Sequence, residues 1–247
     1  MTSPIVELAD WFETPPGKYV LDWERARFAE EVADVFGYYA WQLGLDEPNF
    51  LDSNRMPFKA WAGGEILNAE ASWPARVLAL PESLPFESGS VDLLVLPHLL
   101  ECAQAPHRVL REAERVLMPE GRLVISGFNP WSLWGARNAL PGMEAWLPVS
   151  VKSQVSLHRL RDWLQLLSFD VDRGRYGCFV PACRSEQWLR RWRFMEGMGQ
   201  RWWRMGGAVY VVSAVKRVTR MRIIGPSWKK KRKAPKRAAV VVNRQVD

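Results

Sequence analysis

Residues 76–128 read RVLALPESLPFESGSVDLLVLPHLLECAQAPHRVLREAERVLMPEGRLVISGF and decide the fold. Apolar runs at 76–80, 91–96 and 123–125 are separated by a polar turn and by one helical pattern. The helical pattern carries a single apolar stripe, made of Val109, Leu110, Ala113, Val116 and Leu117. Apolar runs that alternate with amphipathic helices are typical of parallel strands joined by crossover helices. This stretch therefore predicts an α/β unit.

The flanking segments extend the same alternation. Further helices are predicted at 22–36, 157–167 and 185–204, and further strands at 38–43, 55–62, 169–180 and 208–215. The order of elements predicts a doubly wound, mostly parallel seven-stranded sheet with helices on both faces. Pro15, Pro16 and Gly17 predict an irregular arm at 1–20, and a Trp-rich insertion is expected at 129–150.

The positive charge of the chain is concentrated at its end. Residues 217–247 carry 11 Lys and Arg and one acid, a net charge of +10, whereas the preceding residues carry 23 basic and 26 acidic residues, a net charge of −3. We therefore predict a folded domain at 1–225 and a basic, disordered tail at 226–247. The tail favours contact with an anionic partner, either nucleic acid or anionic lipid, and a merely solubilising tail is the alternative.

The remaining composition narrows the class of protein. The chain has 247 residues, of which 48% are hydrophobic, enough to build one buried core. No apolar stretch approaches the ~18 residues that cross a bilayer, and the first residues lack the pattern of a secretory signal. Three cysteines are an odd and sparse set, which indicates reduced thiols. We expect a cytoplasmic protein without a transmembrane segment.

The central stretch contains short motifs that one enzyme family shares. They are Leu84-Pro85-Phe86, Val91-Asp92, Leu110-Arg111-Glu112, Arg115-Val116-Leu117 and Pro119-Glu120-Gly121. In this order the motifs resemble those of the class I S-adenosylmethionine-dependent methyltransferases, in particular the type 11 subgroup that acts on small molecules. The resemblance implies a Rossmann-like fold, S-adenosylmethionine as cofactor, and methyl transfer to a small-molecule nucleophile by in-line displacement.

The resemblance also implies where the cofactor binds. Ligands of open α/β sheets lie outside the carboxyl ends of the strands, near the point where strand order reverses. Glu65 is the candidate for the ribose hydroxyls, although surface solvation also explains it and Glu82. The other cofactor-binding residues that the resemblance implies are Gln42, Gly44 and Asp46 for the methionine part, and Leu80, Pro81 and Glu82 for adenine.

The predicted cofactor loop departs from the family pattern D-x-G-x-G-x-G. The aligned residues 42–48 read QLGLDEP and keep only Gly44 of the glycines. Pro48 lacks an N–H donor, and the carboxylates of Asp46 and Glu47 are expected to repel the carboxylate of the cofactor. The sequence therefore predicts weakened binding in the usual pose, which Asp46→Gly would strengthen.

Pro97 and His98 end the predicted fourth strand, where the family places residues near the transferring methyl group, and Pro97 is a further candidate for binding the cofactor. His98 is therefore the candidate catalytic residue, as a base or as a group that orients the substrate. A histidine packed beneath the following helix is the alternative. His98, Cys102 and His107 are spaced by four and five residues, but Pro106 interrupts the helix between them, and no metal site is predicted.

Aromatic and basic residues are interleaved in residues 185–204. Trp188, Trp192, Met195 and Trp203 recur at helical spacing, which favours packing in the core, and an aromatic lid over the strand ends is the alternative. The arginines between them leave a basic surface. A second hypothesis for the function follows, in which a catalytically inactive relative binds an anionic partner through its basic tail and this helix. A nucleic-acid methyltransferase is a third, but the chain lacks an Asn/Asp-Pro-Pro-aromatic motif.

Overall fold

The sheet of this computed structural model, which describes residues 3–140, 142 and 145–217, has seven strands. They are β1 (Tyr39–Leu43), β2 (Phe58–Gly63), β3 (Arg76–Leu78), β4 (Val91–Pro97), β5 (Leu117–Phe128), β6 (Phe169–Gly177) and β7 (Val209–Lys216). Their order in the sheet is β3-β2-β1-β4-β5-β7-β6, and β7 runs antiparallel to both of its neighbours. The predicted doubly wound, mostly parallel sheet is confirmed. The predicted tail at 226–247 lies outside the described residues.

Eight α-helices cover the sheet within the described part of the chain. They are α1 (Pro4–Phe12), α2 (Pro15–Val32), α3 (Leu99–Cys102), α4 (Pro106–Val116), α5 (Leu133–Ala139), α6 (Leu157–Leu166), α7 (Glu186–Arg191) and α8 (Met195–Trp202). A short 3-10 helix follows at Arg204–Gly206. The predicted Trp-rich insertion at 129–150 contains α5.

Two buried clusters of apolar side chains pack on opposite faces of the sheet. Side chains of α4 and α6 belong to one cluster, and side chains of α1 and α2 belong to the other. Successive residues of β4 alternate between them, since Leu94 and Leu96 face the first cluster and Leu93 and Val95 face the second. A strand that is apolar on both faces is what a sheet covered by helices on both sides requires.

The expectation of an irregular arm at 1–20 is wrong. Pro4 and Pro15 stand at the first position of α1 and of α2, where a missing N–H costs nothing and the fixed φ favours the helix. The Thr14 hydroxyl accepts a hydrogen bond from the Gly17 N–H at 3.3 Å and caps α2. The prolines therefore begin helices, and α1 is placed over the edge of the sheet.

The expectation of one core-packed helix at 185–204 is also wrong. The segment divides into α7 and α8, and Leu189 is the buried residue of α7, whereas α8 buries none of its residues. Between the two helices the chain turns at Trp192, and the Glu196 carboxylate accepts the Phe179 N–H at 2.9 Å. Trp188 and Trp203 are exposed and Trp192 is half-buried, and helical spacing alone does not distinguish an outward stripe from a core stripe.

The motifs that carry the resemblance hold the connection between β3 and β4. The Glu112 carboxylate accepts the Leu84 N–H at 3.0 Å. The Arg115 guanidinium donates to the carbonyl oxygens of Leu84, at 2.9 Å, and Phe86, at 2.8 Å. An acid and an arginine one turn apart on α4 thus clamp the Leu-Pro-Phe segment. This clamp fixes where the chain after β3 crosses the carboxyl edge of the sheet.

Candidate functional site

A cleft of about 480 Å³ lies at the carboxyl ends of the first three strands. Gly44 after β1 and Glu65 after β2 line it. Three residues after β3 complete this wall, namely Leu80, Pro81 and Glu82. The volume is within the range of small-molecule sites. The structure therefore brings five of the predicted cofactor-binding residues to one cleft.

The opposite wall consists of residues that the sequence did not predict to bind the cofactor. Ser3 and Ile5 come from the start of α1, Leu99 and Cys102 come from α3, and Arg108 comes from the first turn of α4. The signal for α1 was the Ser3-Pro4 pair, which is typical of a helix start. The positions of Leu99 and Arg108 depend on how α3 and α4 fold back over the edge of the sheet, which no local pattern specifies.

The backbone of Gly44 lines the cleft directly after β1. Its φ of +90° is a conformation that side-chain-bearing residues rarely adopt. Its carbonyl oxygen accepts a hydrogen bond from the Trp61 indole N–H at 2.9 Å, which fixes the turn after β1. A methyl group on Gly44 would meet the Leu99 side chain at 2.9 Å and the Ile5 side chain at 3.2 Å. Glycine is thus required here although the other glycines of the family loop are absent.

The charged side chains of the cleft are two acids and one arginine. Glu65 and Glu82 lie on the strand side, and Arg108 lies on the helix side. Within the described residues, no ion pair links the exposed Arg108 guanidinium to an acid. The cleft therefore presents carboxylates on one wall and a cation on the other.

A larger cleft of about 630 Å³ lies between α2 and α7. Its charged lining mixes Lys18, Arg25 and Arg190 with Asp22 and Glu186, and it contains no residue from the end of a strand. Because the ligand sites of this architecture lie at the carboxyl ends of the strands, we assign the functional site to the smaller cleft.

Gln42 does not line the cleft, contrary to the prediction. Its side chain is buried in β1, and its amide donates to the carbonyl oxygens of Leu45 at 2.8 Å and Pro48 at 2.9 Å. Its side-chain oxygen accepts the Phe50 N–H at 2.8 Å. Gln42 therefore holds the loop after β1 in shape, and all of its bonds satisfy backbone groups.

Asp46 also points away from the cleft, so the expected repulsion of a cofactor carboxylate is wrong. The residue is 1% exposed, and one carboxylate oxygen accepts the N–H groups of Leu67 at 3.0 Å and Asn68 at 2.7 Å. These bonds tie the loop after β1 to the chain after β2. Asp46 thus organises two of the loops that border the cleft.

We expect Asp46→Gly to destabilise the protein by about 1–3 kcal/mol, because two partly buried N–H groups lose their buried acceptor. Glu47→Gly, which removes the exposed neighbouring acid, is the matched control and is expected to cost less. Urea denaturation of the two variants makes the comparison. Tighter cofactor binding by Asp46→Gly without a loss of stability would instead support repulsion between the Asp46 and cofactor carboxylates.

The predicted roles of Pro97 and His98 beside a transferring methyl group are wrong in their geometry. Pro97 is buried in β4, and neither residue lines the cleft. His98 is 0% exposed and adopts a left-handed conformation with φ 49°. Both of its ring nitrogens are engaged, one with Glu24 at 2.8 Å and the other with Glu101 at 2.9 Å. No nitrogen of His98 is left to take a proton from a substrate.

Glu24, His98 and Glu101 form a buried charge cluster that joins three parts of the fold. Glu24 lies in α2, His98 precedes α3, and Glu101 lies in α3 and accepts the Phe128 N–H at 2.6 Å from the end of β5. Burial opposes a charge on His98, but the two carboxylates outweigh it and raise the pKa of His98 to about 10. An imidazolium that donates from both nitrogens fits this geometry. The cluster fixes α3, which carries Leu99 and Cys102 to the cleft.

The stability of the protein is expected to fall as pH rises from about 6.5 towards about 10. The pKa of His98 is raised in the folded state, so its stabilisation is complete below the ordinary histidine value and is lost as pH approaches about 10. Burial also raises the pKa of Glu101 in the folded state, so its contribution to stability likewise falls as pH rises. Urea denaturation over this range measures the slope, and His98→Gln should reduce it. An equal slope in the two proteins would contradict the assignment.

Comparison with known proteins agrees with the architecture. The family described as "Methyltransferase domain" matches residues 64–125. The chain is 36% identical over 162 residues to the "Uncharacterized protein YafS" of Escherichia coli (strain K12), which covers 65% of each chain. It is 31% identical over 115 residues to the malonyl-[acyl-carrier protein] O-methyltransferase of Laribacter hongkongensis, which covers 44% of this chain and 38% of that protein.

Solved structures share the fold. An S-adenosylmethionine-dependent methyltransferase from Archaeoglobus fulgidus superposes with a TM-score of 0.55 at 14% identity, over 80% of this chain and 94% of that one. The match spans less than two thirds of the length of the Escherichia coli protein and of the Laribacter hongkongensis protein. The motifs of 64–125 and the order of the seven strands agree with each other. The chain therefore resembles methyltransferases in the sequence of residues 64–125 and shares the fold of an S-adenosylmethionine-dependent methyltransferase.

Proposed function

We propose that the protein transfers a methyl group from S-adenosylmethionine to a small-molecule nucleophile by in-line displacement. The observation that carries this proposal is the convergence of Gly44, Glu65 and Leu80–Glu82 on one cleft at the strand ends. These are the positions at which the family resemblance places the cofactor. The chain keeps them although its loop after β1 has lost the other glycines.

The lining of the cleft fits the parts of the cofactor. Leu80 and Leu99 offer apolar surface to adenine, and the Glu65 carboxylate would accept hydrogen bonds from the ribose hydroxyls. Arg108 offers a cation to the methionine carboxylate. In the family pattern the glycine-rich loop after β1 lies at this part of the cofactor, and this chain keeps only Gly44 of its glycines. S-adenosylmethionine carries one net positive charge, and two acids with one arginine give the cleft one net negative charge. The charges of ligand and site are therefore complementary.

The protein's own contribution to the reaction is positioning and exclusion of water. The bound cofactor would supply an electrophilic methyl group on its sulfonium, and catalysis then depends on holding a nucleophile in line with it. Cys102 lines the cleft, but burial raises its pKa to about 12, so the thiol does not ionise near neutral pH. His98 is enclosed in its charge cluster and is not available as a general base. Apolar cover from Ile5 and Leu99 excludes water instead.

Glu65→Gln is expected to weaken binding of S-adenosylhomocysteine about 10- to 100-fold, since a hydrogen bond to a charged acceptor contributes about 1.5–3 kcal/mol. The rise in melting temperature with ligand measures the affinity of each variant. Glu47→Gln removes an equal charge outside this cleft and should bind like the unmodified protein. Equal weakening in both variants would show a general charge effect and would contradict the proposed site.

A non-catalytic protein that binds an anionic partner is the second candidate. Its support from the sequence is the net charge of +10 in residues 217–247. The described residues add the exposed arginines of α7 and α8. A protein that only binds an anionic partner does not require the cleft at the strand ends, and for that reason we favour methyl transfer.

A further inference from the structure

The segment 188–205 exposes an unusual number of large apolar side chains. Trp202 is 82% exposed and Met205 is 65% exposed, and α8 buries none of its residues. We call the following set the aromatic surface: Trp131, Leu133, Trp188, Phe194, Met198, Trp202, Trp203 and Met205, all of which are exposed. Large apolar side chains that are exposed in such numbers within one part of a folded protein point to an interaction site.

Two separate segments contribute to the aromatic surface and are held together. The Asn129 side-chain amide donates to the carbonyl oxygens of Met205 at 2.8 Å and Gly207 at 2.9 Å. Its oxygen accepts the Trp131 N–H at 3.1 Å. Trp131, itself 78% exposed, is therefore fixed next to the segment that contains Met205. Hydrogen bonds of Asn129 therefore hold the two segments of the aromatic surface together.

The charge around the aromatic surface is positive. Arg191, Arg193, Arg201 and Arg204 are exposed, and the Arg191 guanidinium lies 5.7 Å from the Trp188 ring centroid. The two acids of 185–206 are already occupied, because Glu186 pairs with Arg190 and Glu196 accepts the Phe179 N–H. The partner that complements this surface is apolar and carries negative charge.

We propose that the aromatic surface binds the interface of an anionic lipid bilayer. Tryptophans with arginines around them suit the boundary between head groups and acyl chains. Single-stranded nucleic acid would need stacking platforms, and the aliphatic side chains of Leu133, Met198 and Met205 have no role in stacking. In a bilayer these aliphatic side chains can insert among the acyl chains. None of the helices in the described ranges is long and apolar enough to cross a membrane.

The aromatic surface lies at the same edge of the sheet as the cleft. Phe128 at the end of β5 pairs with Val209 at the start of β7, so the segments on either side of this pair leave at the carboxyl edge. The end of β7 lies at the opposite edge, because Lys216 pairs with Phe169 at the start of β6. Docking would thus turn the cleft towards the bilayer. If the proposed function holds, the methyl acceptor is then a molecule that partitions into membranes.

Cosedimentation of the full chain with vesicles tests the docking without any cofactor. We expect binding to mixed phosphatidylcholine and phosphatidylglycerol vesicles, and weaker binding to phosphatidylcholine alone. Trp202→Glu should lower the partition coefficient about tenfold or more, because one deeply inserted aromatic side chain is lost. Phe36→Glu is the matched control: Phe36 is 78% exposed but precedes β1 at the opposite edge, and its replacement should change nothing.

A third variant separates the aromatic surface from the tail. Replacing Lys229, Lys230, Lys231, Arg232 and Lys233 by glutamine removes the basic run of the tail. Binding that survives this change and is lost in Trp202→Glu supports the proposal. Binding that depends on the basic run alone, or equal loss in Trp202→Glu and Phe36→Glu, overturns it, as does Trp202-dependent binding to single-stranded oligonucleotide without binding to vesicles. Because vesicle binding uses no cofactor, its failure leaves the methyltransferase proposal intact, and the reverse also holds.

Discussion

Replacement of His98 by leucine is expected to lower the free energy of unfolding by about 3–5 kcal/mol. The substitution leaves Glu24 and Glu101 buried without the imidazolium that both contact, at 2.8 and 2.9 Å. One oxygen of Glu24 already lacks a hydrogen-bond partner among the described residues, so no spare contact compensates the loss. Urea denaturation at neutral pH measures the change, and the melting temperature should fall with it.

His158→Leu is the matched control, because His158 is exposed on α6 and its ion pair among the described residues is with Asp162, at 3.6 Å. Its cost should stay below about 1 kcal/mol, as for other exposed pairs. If the two histidine variants lose similar stability, the buried charge cluster does not hold α3. The same result would return His98 to the list of catalytic candidates, since its burial would no longer explain its presence.

Gly44→Ala is expected to weaken cofactor binding at least about tenfold, a loss of about 1.4 kcal/mol. Alanine at a φ of +90° is strained, and its methyl group would lie 2.9 Å from Leu99 and 3.2 Å from Ile5. Both neighbours line the cleft, so their displacement narrows it. Calorimetric titration with S-adenosylhomocysteine gives the affinity.

Gly64→Ala serves as the control for this substitution. Gly64 borders the same cleft, but a methyl group there would meet no atom within 4 Å. It should bind the ligand within about twofold of the unmodified protein, a difference below 0.5 kcal/mol. Unchanged affinity in Gly44→Ala would place the cofactor elsewhere, whereas equal loss in both variants would show that the cleft is sensitive to any change of its backbone.

The fold was largely predictable from the sequence because its strands are apolar on both faces. Leu93–Leu96 reads as a buried strand without any knowledge of neighbours, and the stripe on α4 reads as a crossover helix. The two errors about the fold, at 1–20 and at 185–204, arose because each local sequence pattern is compatible with two structures. Proline at 4 and 15 both breaks and begins helices, and only the capping context decides which. The aromatic stripe at 188–203 has helical spacing, but spacing does not tell which side faces the core.

The site was predictable only where strand ends define it. Gly44, Glu65 and Leu80–Glu82 follow directly from the position of each strand end, and all of them line the cleft. The direction of a side chain beyond that point depends on partners far away in the chain. Asp46 turns towards the N–H groups of 67–68, and His98 turns towards Glu24, 74 residues earlier. No pattern around either residue reports such a partner.

Calorimetric titration of the full chain with S-adenosylmethionine and S-adenosylhomocysteine tests directly whether the protein binds this cofactor. We expect saturable binding of one molecule per chain with a dissociation constant in the micromolar range, about −8 kcal/mol of binding free energy. Glu65→Gln and Gly44→Ala should weaken it, and their two controls should not. Absence of heat with either ligand up to about 1 mM, where binding free energy would be weaker than about −4 kcal/mol, would contradict the assignment of the cleft to this cofactor.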